Sequence, residues 1–237
     1  METFPFVSVI TPTCNRRRFI SAAIACFKNQ TYPQNRMEWI VLDDGADSVE
    51  DVFAAAALPN LRYIRSEEKQ TIGAKRNRLN KEAKGDIIVA MDDDDYYPPE
   101  RVGHCVQRLR AIRLVDVVGS SEMYYYFASR KEIWKFGPMP VPNHTTNGPM
   151  AYRKSYAQKH IYDEEVSNAE ESSFLNSYKS AVNQLDSRKC ILVIAHSENT
   201  YNKEKMIDGS NPFMKKTSMK LKDFIKDARL REFYASA

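Results

Sequence analysis

A chain of 237 residues that is 43% hydrophobic and 28% charged is long enough for one large domain, or two small ones, around a well-buried core. Its formal charge is +4, and with the run Asp92–Asp95 set aside 35 basic residues face 27 acidic ones, a balance of +8. An acidic centre in a mildly basic protein suits an anionic small ligand bridged by metal and is too weak a signal for nucleic acid. Cys14, Cys26, Cys105 and Cys190 are scattered, without a CxxC pair or zinc spacing, so neither a disulfide framework nor a structural zinc site is suggested and reduced thiols in the cytosol are expected. The start, Met1-Glu2-Thr3-Phe4-Pro5, has no basic or apolar leader pattern, and no run approaches the roughly 18 apolar residues of a membrane span.

From Phe6 to Asp94 strands alternate with helices. Phe6–Ile10 is a short apolar, β-branched strand stopped by Thr11-Pro12, and Phe19, Ile20, Ala23, Ile24 and Phe27 recur at helical spacing. Trp39–Leu42 predicts a second buried strand ending at Asp43-Asp44-Gly45. Val49–Ala57 predicts a short helix closed by Pro59, and Leu61–Ile64 a third strand. Ile72–Ala83 reads as a helix ending at Lys84-Gly85, and Asp86–Met91 as the fourth strand. Such alternation predicts a mainly parallel sheet with helices on both faces.

Beyond Pro99 the pattern changes. Glu100–Ile112 is a helix, and Val115–Val118, Glu122–Phe127 and Arg130–Trp134 are short strands, some of them antiparallel. Gly137–Pro142 is a loop that Asn143–Gly148 extends. A helix over Ala169–Tyr178, a strand over Cys190–Ala195 and a basic amphipathic helix over Thr217–Leu230 follow, the last expected to pack on the domain rather than on an anionic membrane or toward a further domain. With no repeat and no evident linker, one domain is expected over 1–237, its first half, 1–99, carrying the strand-end motifs and its second, 100–237, the more variable elements and the C-terminal helix.

The strongest chemical signal is Asp92-Asp93-Asp94-Asp95, which follows the apolar run Ile87–Met91 and precedes Tyr96-Tyr97-Pro98-Pro99. Adjacent carboxylates repel and resist ionising together unless a cation neutralises them. Ligands of open α/β sheets bind at the carboxyl ends of strands, where this run falls. It therefore reads as a divalent-metal site rather than a solvated acidic loop. Hard carboxylate oxygens suit Mn²⁺ or Mg²⁺.

Taken together, Val7–Thr13, Asp43-Asp44-Gly45, Gly73-Ala74-Lys75-Arg76-Asn77 and Met91–Pro99 resemble a family 2 glycosyltransferase of the GT-A fold over about the first hundred residues. The block Gly73–Arg101 also resembles sugar transferases of large DNA viruses such as chloroviruses; a cytoplasmic location is expected, in the host if the chain is viral. The resemblance implies an α/β, Rossmann-like single domain with a smaller antiparallel acceptor-side portion. It implies that Thr11, Pro12 and Asn15 or Arg16 lie beside the uracil and ribose, that Asp44 accepts a hydrogen bond from the base, and that Asp43 supports the turn. An acceptor-only carboxylate opposite an imide N–H selects uracil, although other bases stay open. Arg76, with Lys75 beside it, is placed against the nucleotide or diphosphate, the two pointing different ways on one helix. Asp92 falls on the ribose side and Asp94 on the metal, with Asp93 and Asp95 ambiguous.

The same resemblance places an acidic pair on the acceptor side, matched by Asn168-Ala169-Glu170-Glu171-Ser172-Ser173-Phe174. Glu171 is preferred to Glu170 as general base, although the family usually has Asp there, and an acidic helix start favoured by the helix dipole is the structural alternative. His196, after the strand Ile191–Ala195, is a candidate third metal ligand, with a hydrogen-bonded structural histidine as the alternative. Lys203 and Lys205 are candidates to close over phosphate, and Trp134, Thr146 and Gly148 are weak acceptor-site candidates.

The expectation is an inverting, metal-dependent transferase that moves a sugar from a UDP-sugar to a hydroxyl of a glycan or other acceptor. The rivals are a nucleotidyltransferase acting on a sugar phosphate and a noncatalytic nucleotide-sugar or glycan-binding module.

Overall fold

The computed structural model of the chain describes residues 4–166, 169–209 and 211–237. In chain order the elements are β1 Val7–Thr13, α1 Arg17–Lys28, β2 Met37–Asp43, α2 Glu50–Ala55, β3 Leu61–Arg65, α3 Ile72–Glu82, β4 Ile87–Ala90 and α4 Arg101–Ala111. There follow β5 Val117–Gly119, β6 Met123–Phe127, β7 Glu132–Phe136, β8 Ala151–Arg153, α5 Lys154–Ala157, α6 Glu171–Phe174, β9 Val182–Gln184, β10 Leu192–Ala195, β11 Met214–Lys216, α7 Leu221–Phe224 and α8 Ala228–Ala235.

The first four strands stand in the order β3-β2-β1-β4, all parallel, and the sheet continues through β8, β5 and β9, with β8 antiparallel to both neighbours. Every residue of β1 and β2 is buried, the mark of strands covered on both faces. α1 covers one face with Phe19, Ile20, Ala23, Ile24 and Phe27, whose ring stacks on Trp39 at 4.8 Å. A second sheet, β10-β6-β7-β11, is antiparallel except where β10 runs parallel to β6. The expected α/β architecture, with a large mostly parallel sheet and a smaller, largely antiparallel one, is the architecture observed.

α3 differs from the other helices in what it buries. Thr71 caps it by accepting from Ala74 N–H at 3.2 Å, yet its buried side carries Lys75, Arg76 and Asn80 as well as Leu79. A helix that turns charge inward needs partners there, and α3 finds them at the cleft.

Three features depart from the sequence reading. The helix expected over Ala169–Tyr178 is only one turn, Glu171–Phe174, because Asn176, Ser177 and Tyr178 take left-handed φ of 50°, 52° and 60° and turn the chain back. The helix expected over Thr217–Leu230 is two short ones broken at Ile225–Asp227, where Asp227 caps α8 by accepting from Leu230 N–H at 2.9 Å. α8 then packs on α1, with Phe233 edge-on to Phe19 at 5.9 Å. Strands β8, β9 and β11, three residues each, are too short for any periodicity to show. Met1–Thr3 and Asn168 lie outside the described residues.

Candidate active site

The carboxyl ends of β1, β2 and β4 open into a cleft of about 750 Å³, walled by residues 146–149, 169–171 and 198–203. Thr11 lies beneath its floor rather than on it. Its hydroxyl donates to the Met91 carbonyl at 2.6 Å and accepts from Trp39 Nε1 at 2.9 Å, which ties β1, β2 and β4 together. Pro12, Asn15 and Arg16 do line the cleft. Asn15 adopts φ 55° and accepts from Asp47 N–H at 3.1 Å. Of the three successive arginines only Arg16 turns toward the acid run, 3.8 Å from Asp94, while Arg17 pairs with Asp47 and Asp51 and Arg18 with Glu198.

The two aspartates that end β2 divide their work. Asp43 holds the turn, accepting from Gly45 N–H at 2.9 Å, Val49 N–H at 3.2 Å and the Tyr63 hydroxyl at 2.5 Å. Asp44 lines the cleft and accepts from Lys75 Nζ at 2.7 Å and Gln70 N–H at 2.8 Å. Burial opposes its charge, but those two donors hold its carboxyl below the usual range. Lys75 also donates to the Thr13 carbonyl at 3.2 Å.

Arg76 points the other way from Lys75. Its Nε donates to Glu170 at 2.8 Å, and its two terminal nitrogens reach Asp92 at 3.3 Å. The Asn147 amide, oriented so that both its ends are satisfied, accepts from Arg76 Nη1 at 2.6 Å and donates to the Tyr162 hydroxyl at 2.7 Å.

The four consecutive aspartates have four environments. Asp92 is countered by Arg76, and its N–H donates to the Tyr97 hydroxyl at 2.7 Å. Asp93 is buried with Oδ2 unpartnered, and burial together with the neighbouring Asp94 charge pushes its carboxyl up to about 8. Asp94 sits 3.2 Å from both His196 Nε2 and Asn199 Nδ2; burial works against its charge, but His196, Lys203 and Arg16 hold it at about 2. Asp95 turns toward the second sheet, where Oδ1 accepts from Ile194 N–H at 2.7 Å and its carbonyl accepts from the Tyr234 hydroxyl at 2.9 Å.

His196 packs against Phe19 with the rings tilted by 33° and centroids 4.4 Å apart. Its Nδ1 accepts from Glu198 N–H at 3.2 Å, and its Nε2 lies 2.8 Å from Asn199 Nδ2 and 3.2 Å from Asp94, so the ring meets the acid run through Nε2. Through these contacts His196 and Asn199 together orient Asp94. Among the described residues no three His, Cys, Asp or Glu side chains converge as a complete metal centre would require. A partial set fits a hard cation that keeps waters and shares phosphate oxygens. Asp94 lies on the cleft, and Asp93 has an unpartnered buried oxygen beside it.

Across the cleft, Glu170 pairs with Arg76 at 2.8 Å, whereas Glu171 makes no ion pair among the described residues. Burial, then the charge of Glu170, pushes the Glu171 carboxyl up to about 7. Thr146 and Gly148 line the same wall, and a Cβ on Gly148 would come within 2.9 Å of Ile191 Cδ1. Lys203 lines the cleft while Lys205 is exposed away from it. Trp134 is not brought to the site. It lies on β7, edge-on to Phe127, with its indole N–H donating to Glu132 at 3.0 Å.

Arg101 has no counterpart in the sequence reading. It is fully buried and donates to the carbonyls of Pro149 at 2.8 Å, Met150 at 3.0 Å, and Ala90 and Gly148 at 3.2 Å. It thereby joins the end of β4 to the loop that faces the acid run. A single Arg at a helix start carries no signal that distinguishes it from a solvated one.

The profile described as Glycosyl transferase family 2 matches residues 8–164. The chain belongs to glycosyltransferase family 2. The glycosyltransferase AglE of Haloferax volcanii is 33% identical over 96 residues, covering 39% of this chain and 32% of the relative. The chain spans about a third of the length of the curated relatives it matches. Solved structures agree on the fold. S. aureus TarS 1-349 in complex with UDP-GlcNAc superposes with a TM-score of 0.66 at 20% identity, over 82% of this chain and 60% of that one. The mannosyltransferase PcManGT of Pyrobaculum calidifontis in complex with GDP-Man and Mn²⁺ superposes with a TM-score of 0.66 at 17% identity, over 82% and 58%. Among the described residues no helix is long and apolar enough to cross a membrane.

Proposed function

We propose that this family 2 chain is an inverting glycosyltransferase that moves a sugar from a UDP-sugar to a hydroxyl of a glycan or other acceptor. The observation that carries the reading is the asymmetry of the acidic pair: Arg76 pairs with Glu170, while Glu171 faces the cleft with its carboxyl pushed up to about 7. A base with that affinity for protons takes one readily near neutral pH.

In the proposed reaction the acceptor oxygen attacks the anomeric carbon of the donor and its proton passes to Glu171. The new C–O bond forms on one face as the bond to UDP breaks on the other, leaving glycoside, UDP and a protonated Glu171. Asp44 accepts from the base N–H, for which the base must share or displace the Gln70 and Lys75 donors. Pro12, Asn15 and Arg16 flank the nucleoside, Asp92 takes the ribose side, Lys75 sets Asp44, and Arg76 sets Asp92 and Glu170. Mn²⁺ or Mg²⁺, held by Asp94 with Asp93 and His196 adjoining, would neutralise charge on the departing diphosphate.

Calorimetric titration of UDP, with and without Mn²⁺, tests this. Wild-type protein is expected to bind UDP in a metal-dependent manner, and Asp94→Ala to weaken that binding by more than about tenfold, about 1.4 kcal/mol. Absence of UDP binding under both conditions overturns the donor assignment.

A further inference from the structure

The cleft has a wall that none of the groups above uses. Met123 and Tyr125 alternate on β6 and so share a face, and Val193 of β10 pairs with Tyr125 across the parallel ladder. With Ile191 they form an apolar shelf lining the cleft. The shelf adjoins the acid run directly, since Tyr96 bridges to Leu192 and Asp95 accepts from Ile194 N–H.

One polar atom stands on that shelf. Tyr125 is 7% exposed, its ring fixed by Phe127 at 6.4 Å and Phe136 at 6.3 Å. Its hydroxyl has no hydrogen-bond partner among the described residues, whereas the neighbouring Tyr97 and Tyr234 hydroxyls are both engaged. The ring is buried while the residue lines the cleft, so the hydroxyl is open to a ligand there. Burial, then the charges of Asp95 and Glu171, keeps the phenol protonated and hence a donor.

We propose that Tyr125 is a positioning residue for the transferred sugar: its hydroxyl bonds a hydroxyl of the donor's sugar ring, and the apolar shelf takes the ring's C–H face. The assignment rests on the donor reading above. A diphosphate held at Asp94 and Lys203 leaves the attached sugar next to the shelf, with Glu171 on the same cleft for the incoming acceptor. Amphipathic sugar rings suit a surface of this composition, on which one hydrogen bond fixes rotation of the ring.

The test is Tyr125→Phe, which keeps the ring and removes one oxygen. UDP and a panel of UDP-glucose, UDP-galactose and UDP-GlcNAc are titrated with Mn²⁺ into both proteins, and hydrolysis of the sugar the wild type prefers is followed. UDP affinity is expected to stay within about twofold, while the preferred UDP-sugar weakens by about 3- to 10-fold and its hydrolysis slows. Unchanged UDP-sugar affinity together with an unchanged hydrolysis rate overturns the role of Tyr125 alone. Failure of the wild type to bind UDP overturns the donor reading, and this assignment with it.

Discussion

Glu171 and Glu170 are neighbours of one chemical type whose difference comes entirely from what lies opposite them. Arg76 reaches Glu170 and leaves Glu171 to burial. Glu171→Gln is expected to lower turnover by about 10²- to 10⁴-fold and to leave UDP affinity unchanged by calorimetry. In the wild type, the pH–rate profile should rise with an ascending limb near pH 7, where Glu171 loses its proton, and the limb should vanish in the variant. The stability sign runs the other way from a salt-bridged acid. A carboxyl whose folded affinity for protons is raised makes the fold less stable as pH climbs from its ordinary value of 4.5 to about 7. Glu171→Gln should therefore stabilise the protein at pH 8 by on the order of 1 kcal/mol, read as a rise in Tm. At this scale the sequence shows which residues are chemical but not who meets whom. The acid run and the strand-end pair are visible, whereas the Lys75–Asp44 pair and the Asn147 amide depend on contacts 31 and 71 positions apart.

Among the elements, those that the sequence shows well are those buried on both faces or amphipathic over several turns. β1, β2, β4 and α1 emerge within a few residues of their observed ends because an unbroken apolar run or a 3.6-residue repeat has few other uses, and α3 is marked by its stop at Lys84-Gly85. Strands β8, β9 and β11 are set by partners far along the chain, so no local pattern announces them. Arg101 belongs to this class. It stands at the start of α4 yet serves the junction between β4 and residues 148–150. Arg101→Met leaves the Gly148 and Pro149 carbonyls without that donor and should cost about 3 kcal/mol in chemical denaturation. Arg101→Lys should recover part of the loss, since one ammonium can serve some of the same carbonyls but not the whole fan.

For the molecule as a whole, the charge balance and the βα alternation already point to an acidic ligand site at the carboxyl edge of a parallel sheet, and the cleft lies there. What they do not indicate is how much of the second half the first half needs. Glu170, Glu171, Asn147 and Tyr125 form the far wall, and α8 supports the acid run from below. Removing residues 226–237 should therefore weaken Mn²⁺-dependent UDP binding by more than about tenfold while circular dichroism retains most of the native secondary structure.

The hydrogen bond from Tyr234 to the Asp95 carbonyl joins positions 139 residues apart. During synthesis at 5–20 residues per second, roughly 7–28 s separate the appearance of the acid run from that of its support. For that interval a nascent chain carries four clustered carboxylates that have not yet acquired their final geometry. Completion of that geometry thus waits on residues far downstream of the acid run, and a ribosome stalled before Asp227 would display the run without its tie to Tyr234.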